Sequence, residues 1–81
     1  MATNSDSAMI SEVLVFKTNI SSDLEVEKVR EIFSGKKNIT RWNIDRDDID
    51  NVLRIECDNF YSDAVIRMLC DAGFECEELP D

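Results

Sequence analysis

Three cysteines, Cys57, Cys70 and Cys76, are the side chains best suited to metal or redox chemistry, because a thiolate binds soft ions and attacks disulfides. No two of them stand in a C-x-x-C spacing, and an odd count does not suit a disulfide-stapled secreted miniprotein. A reducing, cytoplasmic setting is the expectation. Cys70 and Cys76 bracket a helix-to-strand turn, so they alone could approach one ion, yet two thiols without a third ligand are a weak metal signal. Cys57 falls at the far end of another strand. The reading is therefore Cys57 and Cys76 as small core residues and Cys70 as a helix residue, with redox or thiophilic-metal binding at Cys70 and Cys76 as the alternative.

The carboxylates come next. Eighteen Asp and Glu against nine Lys and Arg leave a net charge of −9, and there is no histidine. Such a surface repels phosphate backbones and anionic lipid, so neither nucleic acid nor membrane is expected as a partner. Without histidine, the usual general base and zinc ligand are missing. The turn with Asp45, Asp47, Asp48 and Asp50 resembles a calcium loop only superficially, since Asp50 stands where that loop needs glycine. Tyr61 and Lys28 are lone candidates with no base or nucleophile beside them, so no enzyme activity, cofactor or resident metal is expected. The sequons at Asn19 and Asn38 carry no meaning outside a secretory route.

Eighty-one residues, 43% of them hydrophobic, suit one small domain. Residues 1–11 are small and polar and read as a frayed tail, which leaves residues 12–81 as the domain. Glu12 to Thr18 suits a strand buried on much of both faces. Ser22 and Glu25 have the S-x-x-E spacing of a capping box and open a helix from Asp23 to Ser34, with Val26, Val29, Ile32 and Phe33 on one side and Gly35 as its stop. Ile39 to Asp45 alternates, placing Thr40, Trp42 and Ile44 on one face, with Trp42 covering one end of the core. Val52 to Asp58 points Leu53, Ile55 and Cys57 inward. Asn59 reads as the cap of a second helix that carries Tyr61, Val65, Met68, Leu69 and Ala72 and ends at Gly73. Phe74 to Leu79 closes the chain as a strand.

The order β-α-β-β-α-β implies an α+β, ferredoxin-like sandwich: a four-stranded antiparallel sheet with two helices on one face. In this arrangement, Val26, Val29 and Phe33 after the first loop, and Leu69-Cys70-Asp71-Ala72-Gly73-Phe74 at the second helix end, resemble the heavy-metal-associated domain family. That family holds soft metal ions in an M-x-C-x-x-C loop before helix one. Counting back along this sequence puts Ile20 at the methionine position, Ser22 at the first cysteine and Glu25 at the second, so the resemblance implies a degenerate member without its ligands. Hydroxyl and carboxylate do not replace two thiolates for a soft monovalent ion.

The family also meets partner proteins at this loop end, where the topology gathers Asp23, Glu25, Asp47, Asp48, Asp71 and Glu75. A basic protein partner is the expectation there, for a protein-interaction or regulatory module that is a monomer or weak homodimer. A further alternative is small-ligand binding or dimerisation through the open sheet face, lined by Arg41, Asn43, Arg54 and Glu56.

Overall fold

The computed structural model describes residues 12–80, so the expected tail at residues 1–11 lies outside the described residues. Strand β1 (Glu12–Thr18) leads to helix α1 (Asp23–Phe33), strands β2 (Ile39–Asp45) and β3 (Val52–Cys57), helix α2 (Ser62–Asp71) and strand β4 (Cys76–Glu78). The sheet order is β2-β3-β1-β4 with every pairing antiparallel, which is the ferredoxin-like sandwich the sequence implies.

One core lies between the sheet and the helices. Phe16, Leu53, Ile55 and Cys57 from the sheet meet Val29 and Phe33 of α1 and Val65 and Leu69 of α2, while Ile20 and Phe74 close it from the loops. Trp42 packs edge-on against Phe33 at a centroid distance of 5.5 Å, with the Arg30 guanidinium 5.6 Å from its ring, so it closes the core on the β2 side. Gly73 takes φ +95 where α2 ends, and the chain then drops Phe74 into the core.

Four expectations change. In β1 the two faces are covered unequally: Phe16 and Thr18 are buried and Leu14 half-buried on the inner face, while on the outer face Val15 is half-buried and Val13 stays 51% exposed, because no helix of the described residues lies over that face. A bulge between Ile39 and Arg41 takes Thr40 out of the inward row; it is exposed, its hydroxyl donates to the Glu56 carbonyl at 2.9 Å, and Ile39 packs on the core in its place. Asn59 does not cap α2: it sits at φ +48, and the helix begins after Tyr61 with no side-chain cap. Strand β4 is three residues long because Phe74 serves the core and only Cys76 to Glu78 reach β1 in register.

Candidate functional site

Helix α1 starts where Ser22 and Glu25 satisfy the first free amides reciprocally. The Glu25 amide donates to Ser22 Oγ at 3.1 Å, and the Ser21 and Ser22 amides donate to Glu25 Oε1 at 2.9 and 3.1 Å. The loop before the helix is stapled to its neighbours. Thr18 N donates to the Asp50 carbonyl at 3.0 Å and its hydroxyl to that of Asn51 at 2.7 Å, while Glu75 N donates to Asn19 Oδ1 at 2.9 Å. Three connections therefore meet at one end of the sandwich: residues 19–22, the β2–β3 turn, and the turn from α2 into β4.

The expected acidic residues are all at this end. Asp23 opens α1, Asp47 and Asp48 are exposed in the β2–β3 turn, Asp71 closes α2, and Glu75 follows the next turn. Two cations reach in among them: Arg46 Nη1 lies 2.8 Å from Asp23 Oδ1 and 3.4 Å from the Ser21 carbonyl, and Lys17 Nζ lies 3.8 Å from Asp50. Asp45 and Asp48 also accept the amides of Asp47 and Asp50 at 3.1 and 2.9 Å, so part of this acidity shapes the turn. Two residues that the sequence reading passed over stand out here: Leu24, 71% exposed, and Ile49, 92% exposed. Their signal was present as an apolar residue on the outer side of a capped helix and another inside a charged turn.

The loop's donors do not fit a soft metal ion. Backbone amides of Ser21 and Ser22 hold the Glu25 carboxyl below its ordinary value of 4.5, and the same bonds occupy its oxygen. Because the folded pKa is depressed, this stability is present above the ordinary carboxylate range and is lost as pH falls through the folded value. Glu25→Gln, which keeps an accepting oxygen without the charge, should lower the urea midpoint at about pH 7, by a deficit that narrows as pH falls through the depressed folded value. A deficit that stays constant throughout an acid titration would mean that the charge contributes nothing.

The cysteines separate as the topology implies. Cys57 is buried opposite Glu12 and Cys76 lies opposite Thr18, so the length of β1, about 20 Å at ~3.3 Å per residue, divides them. Cys70 is exposed on α2. Burial, and then the charge of Cys70, push the half-buried Cys76 thiol up to about 12, which disfavours the thiolate a metal or disulfide reaction requires. Among the described residues no group of three or more His, Cys, Asp or Glu is placed to hold a metal. Nor, among them, is any helix long and apolar enough to cross a membrane.

No protein-family model matches the chain, and no curated protein matches it. Among solved structures, oxidized MerP from Ralstonia metallidurans CH34 superposes with a TM-score of 0.72 at 8% identity, covering 88% of this chain and 100% of that one. At that identity the likeness is one of fold, and the fold it shows is the ferredoxin-like βαββαβ sandwich described above.

Proposed function

We propose that this chain is a small, non-catalytic protein-interaction or regulatory module, a degenerate relative of the heavy-metal-associated domains that docks a basic partner on its loop end. The observation that carries this reading is the pairing at that end of exposed carboxylates with exposed Leu24 and Ile49. Aliphatic side chains that the protein leaves in water gain roughly 25 cal/mol per Å2 when a partner covers them. The carboxylates around them steer a cationic surface and select against an anionic one. The capping box supports the reading as well, since the two positions that the resemblance assigns to metal ligands are occupied with helix amides.

A partner crosslinked to this end, identified and purified, tests the proposal by its salt response. Affinity should fall at least about tenfold between about 0.05 and 0.5 M salt, and fall comparably in Asp47→Lys, Asp48→Lys. Leu24→Ala, Ile49→Ala should weaken binding at every salt concentration. Affinity indifferent to both ionic strength and the charge reversals would overturn the reading.

A further inference from the structure

Among the described residues strand β2 is an outer strand of the sheet, so one rail of its main-chain N–H and C=O groups has no strand of residues 12–80 beside it. Edge strands are commonly protected by lysine, proline or a bulge. Here the bulge lies near one end, between Ile39 and Arg41, and the stretch Arg41-Trp42-Asn43-Ile44-Asp45 holds neither lysine nor proline. Its outer-face side chains, Arg41, Asn43 and Asp45, are exposed, and Trp42 and Ile44 on the helix side are half-buried. Both the backbone and the side chains of this strand therefore remain partly unmatched.

We propose that this edge pairs with the same edge of a second copy, antiparallel and centred on Asn43, to make one continuous eight-stranded sheet. The sequence is self-complementary in that register. Residues whose numbers sum to 86 face each other, so Arg41 of each copy meets Asp45 of the other, Trp42 meets Ile44, and Asn43 meets Asn43 across the two-fold axis. Moving the centre to Trp42 sets Arg41 against asparagine and Asp45 against Ile39. Moving it to Ile44 sets Asp45 against asparagine and Trp42 against Arg46. Only the Asn43 centre pairs charge with opposite charge and apolar with apolar throughout.

Antiparallel pairing also brings the residues before β2 in one copy, Lys36 and Lys37, towards the turn after β2 in the other, which carries Asp47 and Asp48. The repulsion between two chains of charge −9 is thus offset at both ends of the paired strands. The dimer draws at its margins on Asp47 and Asp48, which the basic-partner reading also uses, but its test turns on Arg41 and Asp45, so the failure of one is distinguishable from the failure of the other.

Sedimentation of the reduced full chain from micromolar to millimolar concentration tests the proposal. The parent should form dimers, while Arg41→Glu and Asp45→Arg should each lose at least about tenfold in dimer affinity, because each creates two like-charge contacts. An equimolar mixture of the two variants should dimerise again, since both cross-strand pairs are then opposite in charge. Asp45→Arg also removes the bond to the Asp47 amide, so its fold is checked by circular dichroism. If it does not fold, the parent against Arg41→Glu decides, by amide exchange: protection over Arg41 to Asp45 that rises with concentration in the parent and not in the variant. A parent that stays monomeric at millimolar concentration, or an Arg41→Glu variant that dimerises as well as the parent, overturns the proposal.

Discussion

Replacing Phe16 with alanine should unfold most of the protein at 25 °C. Phe16 is fully buried in β1, which lies between β3 and β4, and it stands opposite Leu53 on one side and Glu78 on the other. Truncating a buried phenylalanine costs about 3–5 kcal/mol, from lost transfer energy and from the cavity it leaves. A domain of this size holds on the order of 5 kcal/mol in total, so one such loss consumes most of it. Urea titration followed by far-ultraviolet circular dichroism should show little or no native baseline for the variant. A destabilisation below about 1 kcal/mol would mean that the core is not organised around this side chain.

The double substitution Ser22→Cys, Glu25→Cys should create a site for one monovalent copper ion per chain. The counting that places these two residues at the ligand positions of the heavy-metal-associated family rests on Val26, Val29 and Phe33, and the structure buries Val29 and Phe33 in the core, with Val26 packed against it. Ile20, at the methionine position, is fully buried, so the loop backbone is anchored from within. Two thiolates at the start of α1 gain from the positive end of the helix as well as from the soft ion. Loss of the Ser22 cap should cost about 1 kcal/mol, which a urea titration of the metal-free variant measures separately. A folded double variant that takes up no copper would show that this loop is not disposed like the family's.

The same loop shows how far the sequence was legible. Ser22 and Glu25 announce the capping box because four atoms within four residues make it, and local bonds survive in any tertiary setting. Gly73 before Phe74 was equally readable, since a positive φ at a helix end selects for residue type. Thr40 was misread because a bulge inserts one residue into a period of two without demanding any particular side chain. Asn59 was misread because asparagine serves a left-handed turn as readily as a helix cap, and here it takes φ +48. Six carboxylates could be assigned to one end from topology alone. The contacts of Arg46 with Asp23 and Ser21, and the exposure of Leu24 and Ile49, could not be, because they depend on how two loops approach in space.

The proposal that this fold stands here without binding a soft metal is tested most directly by titrating the reduced parent protein with monovalent copper under competition. No stoichiometric uptake is expected, because the loop offers a hydroxyl and an amide-bound carboxylate and the Cys76 thiol is pushed up to about 12. Sub-micromolar binding of one ion per chain, abolished by Cys70→Ser, Cys76→Ser, would contradict it.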